Sequence, residues 1–196
     1  METLLGIAIG VGLSAAAGFR LVVPFLVMSI ASLTGHLSLA PDMEWMGTPP
    51  ALAAFAIATL LEILVYFIPW LDDVMGALSV PVAVVAGTVI TASFVTDMSP
   101  FLRWTLAAIA GGTVAGSVDV LTTGLRFVST ATTGGLANGL VSVGELLSST
   151  ILALLSILSP VISMALIVFL LVWSIRRTQR MLTSRRNKES SISTYS

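Results

Sequence analysis

Long apolar runs constrain this chain more than any other feature. Several stretches exceed the roughly 18 consecutive apolar residues that indicate a membrane-spanning helix. Of the 196 residues, 56% are hydrophobic and only 10% are charged, whereas soluble domains carry about 25% charged residues. The mean hydropathy is +1.02. The sequence therefore predicts an all-α integral membrane protein.

Cysteine and histidine usage limits the chemistry that the chain can perform. There is no cysteine, and the single histidine, His36, lies in a polar stretch. Disulfides, iron–sulfur clusters and thiol nucleophiles are thereby excluded. A histidine-based metal site or catalytic triad is not expected either. We predict a protein that is not an enzyme and that holds no cofactor or metal.

The apolar residues fall into six segments. They cover residues 4–33, 51–68, 74–95, 101–130, 140–158 and 160–175. The first and fourth are long for one span, and we predict that both are broken, near Ala17–Gly18 and near Thr122–Gly124. Residues 1–175 are predicted to form one transmembrane domain, and residues 176–196 a basic, partly disordered tail.

The tail suggests an orientation. Six of the nine basic residues lie in it: Arg176, Arg177, Arg180, Arg185, Arg186 and Lys188. Basic residues next to a span prefer the cytoplasm, so the tail is read as a topology anchor and not as a nucleic-acid site. With six spans, both termini are predicted to be cytoplasmic and the loop that carries Asp42 and Glu44 to lie outside.

The two halves of the chain resemble each other. A shift of 106 residues aligns three glycines and an arginine of each half: Gly6, Gly10, Gly18 and Arg20 with Gly112, Gly116, Gly124 and Arg126. We predict a repeat over about 4–95 and 101–175. Because each copy would hold three spans, the copies would be inverted, as in many transporters. Chance self-alignment of a glycine-rich chain is the alternative.

Charges inside apolar segments are the candidate site. Each costs about 2.5–3.5 kcal/mol on insertion scales, so such groups are usually paired or functional. The candidates for a substrate or ion pathway are these five charged residues and one amide: Arg20, Glu62, Asp119, Arg126, Glu145 and Asn138. The repeat predicts that Arg20 pairs with Glu62 and Arg126 with Glu145. Whether such pairs only lock the helices together or also line a passage is left open.

Glycine, proline and asparagine mark breaks, close contacts and turns. The spacing Gly6/Gly10 and Gly112/Gly116 is typical of helix–helix contacts. Gly18, Pro24 and Gly124 are predicted at helix breaks, where the positive end of a half-helix suits an anion. The stretch "TATTGGLAN" is predicted to be a turn or, alternatively, a cavity lining. Its key residues are Gly134, Gly135 and Asn138.

Four stretches carry a family resemblance. "GLSAAAGFRLVVPFL", "LLEILVYFIPWLDDV", "VPVAVVAG" and "GSVDVLTTGLRFVSTATTGGLANGLVSVGELL" resemble, in order and spacing, the domain-of-unknown-function 4126 family of small bacterial membrane proteins. The likeness includes the positions of Arg20, Glu62, Arg126 and Glu145. It implies a small multi-span protein of the bacterial inner (plasma) membrane and no established activity.

Two functions follow as expectations. The first is a transporter or channel for a small solute or ion, with an anion as the favoured class. The second is a non-transporting membrane scaffold or lipid-interacting protein whose buried charges are structural. The expected partners are the lipid bilayer, a small solute or ion, and a second copy of the chain, because small residues favour close helix contacts.

Overall fold

The structure is a computed structural model that describes residues 2–65, 69–134, 136–172 and 176, without the side chains of residues 2, 69–75 and 77. Every regular element in these ranges is helical. The helices are α1 (Glu2–Ala17), α2 (Val23–Leu33), a 3₁₀ helix (Pro41–Gly47), α3 (Pro49–Val65), α4 (Pro69–Ala92), α5 (Pro100–Ala107), a π-helical turn (Ala108–Gly112), α6 (Thr113–Thr133), α7 (Asn138–Leu158) and α8 (Pro160–Val172). The predicted roles of Gly135 and of the tail beyond Arg176 fall outside the described residues.

Apolar helices of membrane-spanning length are present, as predicted. The continuous helix Pro100–Thr133 and α7 are long and apolar enough to cross a bilayer. The 3₁₀ helix and α3, bent by 64°, add a third candidate if they form one broken span. The apolar stretches Thr3–Ala17, Val23–Leu33, Leu78–Ala92 and Pro160–Val172, counted over the residues whose side chains the structure describes, are shorter. Six crossings are therefore not confirmed.

The first apolar segment breaks at the predicted place, but it also doubles back. α1 ends at Ala17, and Pro24 lies in the first turn of α2. Thr3 donates a hydrogen bond to Asp97, 3.2 Å away, just beyond α4. Ala40, which follows α2, donates from its backbone to the carbonyl of Ser93 over 2.8 Å. Both ends of the first segment therefore lie beside the end of α4, and α1 and α2 form a helical hairpin.

The hairpin defines two ends of the bundle. We call the end that contains residues 34–48 and 93–100 the loop end. The tip of the hairpin, residues 18–22, points towards the α6–α7 turn, whose described residues are Gly134, Leu136 and Ala137. We call this the turn end. α2 runs antiparallel to α3, because Val22 lies beside Glu62 and Phe25 stacks on Phe55. The reversal places Thr3 and the loop with Asp42 at the same end of the bundle. The predicted placement of the N-terminus and this loop on opposite sides of the membrane is therefore not confirmed.

The inverted repeat is also not confirmed. α1 runs from the loop end to the turn end, since Gly6 lies beside Phe94 and Gly18 beside Val118. The helix that carries Arg126 also starts at the loop end, where Arg103 donates to the carbonyl of Ala92. The two matched stretches run in the same direction. A two-fold axis in the membrane plane would require opposite directions.

The predicted break near Thr122–Gly124 is wrong. α6 continues through these residues to Thr133. A Cβ atom on Gly124 would meet nothing within 4 Å, and a lone glycine costs a helix only about 1 kcal/mol. The irregularity lies instead at the π-helical turn. There Gly111 packs against the backbone of Gly87 in α4, which explains the need for small residues.

The two predicted glycine pairs lie at helix contacts. A Cβ on Gly10 would lie 2.9 Å from the Cα of Thr91. One on Gly112 would lie 3.0 Å from the carbonyl oxygen of Val84. Gly116 likewise faces α4, and Gly6 faces Phe94 just beyond its end. Both pairs therefore let their helices approach α4 closely, as small residues do in membranes.

The loop end is closed by its own chain. Four apolar side chains of residues 39–46, which we call the plug, are buried in the core: Leu39, Ala40, Met43 and Met46. Arg103 holds the plug to α5, because its Nη1 donates to both oxygens of Asp42, at 2.8 and 3.0 Å. The plug thus packs as part of the protein interior.

Candidate functional site

Glu145 of α7 lies at the centre of the buried charges. Arg126 of α6 donates from Nε to one carboxylate oxygen over 2.7 Å and from Nη2 to the other. The Nε of Arg20 lies 4.0 Å from the second oxygen. The side chains of Glu145 and Arg20 are 5% and 1% exposed. One carboxylate therefore lies between two arginines, and the predicted Arg126–Glu145 pair is present.

Arg20 is held in place by the hairpin and by α7. It lies at the hairpin tip, where its backbone N–H still bonds back to the carbonyl of Ala16. Its Nη2 donates to the backbone carbonyl of Ser142 over 3.1 Å and also bonds the Ser142 hydroxyl. Ser142 precedes Glu145 by one helical turn. α7 therefore presents a hydroxyl and a carboxylate to the same guanidinium group.

Glu62 of α3 closes the other side of the hairpin tip. Its carboxylate accepts hydrogen bonds from the backbone N–H groups of Leu21 and Val22, at 2.8 and 3.2 Å. These groups immediately precede α2, where a negative charge is favourable. Arg20 and Glu145 both lie within electrostatic range of Glu62. We call Arg20, Glu62, Arg126 and Glu145 the charge cluster.

The other two predicted site residues lie outside the charge cluster. Asp119 of α6 accepts a hydrogen bond from the Ser79 hydroxyl of α4 over 2.8 Å. Asn138 starts α7 and donates to Thr130 of α6 over 2.9 Å. Gly134 between these helices has a φ of 63°, a backbone conformation that favours glycine. Asn138 and Gly134 therefore shape the α6–α7 turn.

Sequence reasoning missed three contributors to the site. They are Ser142, Ser79 and the backbone N–H groups at the hairpin tip. A signal for the first was available, because Ser142, Glu145 and Ser149 have the spacing of one helix face. The hairpin tip had no such signal, since hydropathy does not show that a segment doubles back.

The fold and the site define a class: helical proteins with apolar helices of membrane-spanning length and a charge cluster at a helix break. The chain belongs to the DUF4126 family, a domain of unknown function whose model matches residues 7–180. This match confirms the family predicted from the sequence. No curated protein and no solved structure matches the chain.

Proposed function

We propose that this protein is a membrane transporter or channel for a small solute or ion, with an anion as the favoured class. One observation carries the proposal: a helical hairpin ends inside an apolar bundle, and its tip holds a buried arginine next to a second arginine. Charged groups in membrane proteins usually face a pathway or each other. Non-helical backbone at membrane depth is tolerated inside protein or beside a cavity.

The favoured class follows from the groups at the tip. The N–H groups of Leu21 and Val22 already bind a carboxylate, that of Glu62. Arg20 and Arg126 provide fork-shaped donors that suit carboxylates and oxyanions. A solute anion that replaces the Glu62 carboxylate would find the same backbone donors and the positive end of α2.

Flux through liposomes tests the proposal. The purified protein should release a small anion such as formate faster than protein-free liposomes do. Arg20→Ala and Glu62→Gln should each change that flux by about tenfold, equivalent to about 1.4 kcal/mol in the barrier. Glu44→Gln, at an exposed position of the 3₁₀ helix, is the matched control and should leave flux unchanged.

Folding must be monitored in the same preparations. Each variant should elute as wild type in size-exclusion chromatography before its flux is compared. If wild-type liposomes are as tight as empty ones to every ion tested, the transport proposal fails. If flux persists unchanged in both cluster variants, the charge cluster is not part of the pathway.

Charge balance favours a second candidate function. The charge cluster contains two arginines and two glutamates, and these can neutralise one another without any solute. A non-transporting scaffold or lipid-interacting protein would need only this mutual neutralisation of its buried charges. In this case the basic tail would bind anionic lipid headgroups. Tight liposomes combined with retention of the protein on anionic vesicles would favour this function.

The setting is part of the same proposal. We place the protein in the bacterial inner membrane with its basic C-terminal tail in the cytoplasm, and we assign it no catalytic role.

Self-association is also proposed, because Gly124, Gly139 and Gly144 face open space in the monomer and remain available for a helix contact. Disulfide cross-linking of Gly144→Cys protein in membranes tests it, and a monomer would refute it.

A further inference from the structure

The two ends of the bundle differ in how they cover the charge cluster. Towards the loop end, the buried plug and the whole length of α1 lie in the way. Arg126 precedes the end of α6 at Gly134 by eight residues and follows Pro100 by twenty-six. At about 1.5 Å per residue, it lies about 12 Å from the turn end and about 39 Å from the loop end. The charge cluster is therefore close to the turn end.

Exposure is lowest at Arg20 and highest at the turn end, although Ser129 between Arg126 and the turn end is buried. Arg20 is 1% exposed and Arg126 is 20% exposed. Ser142 and Asn138 are half-buried, and Thr133 at the end of α6 is exposed. Among the described residues, the partly exposed side of the charge cluster is therefore the side of Arg126 and Ser142, which faces the turn end.

Polar side chains line this approach on both helices. On α6 they recur at intervals of four, three and four residues, which is one helix face: Thr122, Arg126, Ser129 and Thr133. On α7 the same intervals separate another set: Asn138, Ser142, Glu145 and Ser149. The two faces meet where Arg126 bonds Glu145. At the inner limit, Ser149 is fully buried and donates to the carbonyl of Ala16 over 2.9 Å.

One hydroxyl on this lining has no hydrogen-bond partner among the described residues. The Oγ atom of Ser129 is buried, and the residue is only 9% exposed. Buried hydroxyl groups are nearly always hydrogen-bonded, to protein or to water. Ser129 lies one turn from Arg126, between it and the turn end. Its hydroxyl is placed to donate to a water or a small anion beside that arginine.

We propose that the polar faces of α6 and α7 form a one-sided vestibule that admits a small anion from the turn end as far as Arg126, Ser129 and Ser142. The α1–α2 hairpin and the plug close the route from the loop end. The identity of the anion rests on the proposed function. The one-sided access stands on the geometry alone.

Cysteine labelling tests the vestibule directly, because the chain has no native cysteine. Single variants Thr133→Cys and Asp42→Cys mark the turn end and the loop end, and Ser142→Cys and Ser129→Cys report on the vestibule. Ser149→Cys is the matched control beyond its inner limit. Each full-length variant is reconstituted in liposomes and treated from one side at a time with a membrane-impermeant anionic methanethiosulfonate.

We expect Ser142→Cys and Ser129→Cys to react only from the side that modifies Thr133→Cys, and Ser149→Cys to remain unreacted. The anionic reagent should react with Ser142→Cys about tenfold faster than a cationic one, because the Arg20 guanidinium, which bonds Ser142, attracts an anion at this position. Added formate should slow this reaction while leaving that of Thr133→Cys unchanged.

Three results would overturn the inference. Modification of Ser142→Cys from the Asp42→Cys side would show that the plug does not close the bundle. No modification of either reporter in folded protein, while Thr133→Cys reacts, would show that no vestibule exists. Faster reaction with the cationic reagent would refute the proposal that the vestibule favours anions. Labelling as expected without any flux would leave the vestibule intact and refute only transport.

Discussion

At the scale of single residues, Glu145 is the residue on which the charge cluster depends. It lies between two arginines in an interior where unpaired charge is costly. A buried ion pair need not add stability compared with an apolar pair. Losing one partner, however, leaves a buried charge without compensation.

Glu145→Gln should therefore lower the free energy of unfolding by about 3–5 kcal/mol. The reason is that the amide cannot neutralise Arg126 and Arg20. Unfolding in mixed micelles titrated with sodium dodecyl sulfate measures the change. Glu44→Gln, on the exposed side of the 3₁₀ helix, should cost less than about 0.5 kcal/mol. Equal effects of the two substitutions would contradict the buried pair.

A double-variant cycle separates the ion pair from other effects of the substitution. Arg126→Gln combined with Glu145→Gln should cost less than the sum of the single changes, because the second change removes the charge that the first left unpaired. We expect a coupling of about 0.5–3 kcal/mol. Strict additivity would mean that the two side chains do not interact.

The residues of the charge cluster could be predicted because rare charges stand out in apolar segments. Their exact partners could not. No sequence pattern indicates that Glu62 binds the backbone of Leu21 and Val22, because that contact depends on the chain reversal between α1 and α2. A carboxylate at a helix start is a tertiary contact here, forty residues away in sequence.

At the scale of helices, several glycines are explained by close packing on α4 and not by helix breaks. They are Gly10, Gly111, Gly112 and Gly116. Gly87 and Gly111 face each other where α4 crosses the π-helical turn. Gly124, which aligns with Gly18 in the shifted sequence, has no neighbour within 4 Å of a Cβ. The same residue type therefore has different roles at matched positions, and only the packing distinguishes them.

Gly87→Ala and Gly124→Ala form a matched pair that tests this difference. A Cβ on Gly87 would lie 2.6 Å from both the Cβ of Ala115 and the carbonyl oxygen of Gly111. Neither atom belongs to a flexible side chain, so we expect a loss of about 1–3 kcal/mol. Gly124→Ala should instead stabilise α6 by up to about 1 kcal/mol, because alanine is the better helix former.

The same unfolding titration compares the two variants. Similar losses for both would show that α6 breaks at Gly124, as the sequence alone suggests.

Helix positions could be predicted from hydropathy to within a few residues at α7, whose predicted range of 140–158 compares with Asn138–Leu158. The path of the first segment could not, because a crossing and a hairpin have the same hydropathy.

At the scale of the whole molecule, the α1–α2 hairpin determines the topology as well as the site, because the first apolar segment doubles back where the sequence predicts a crossing. α1 has 16 residues and α2 has 11, so at about 1.5 Å per residue they extend about 24 and 17 Å. A bilayer core is about 30 Å thick. Because both helices are shorter than this thickness, we expect the hairpin to enter from the loop end and to return to it without crossing. In that arrangement Arg20 would enter the bundle from one side, and a solute would approach it from the other.

This topology predicts where three inserted tags will be found. Tags at the N-terminus and between Gly35 and His36 should be digested from the same side of sealed membrane vesicles, because both sites lie at the loop end. A tag after Leu136, which is 91% exposed, should be digested only from the opposite side. Protease protection in vesicles of each orientation measures this, and detergent should expose all three tags. Finding the N-terminal and Gly35 tags on opposite sides would show that the first segment crosses the membrane and that α1 and α2 do not form a re-entrant hairpin.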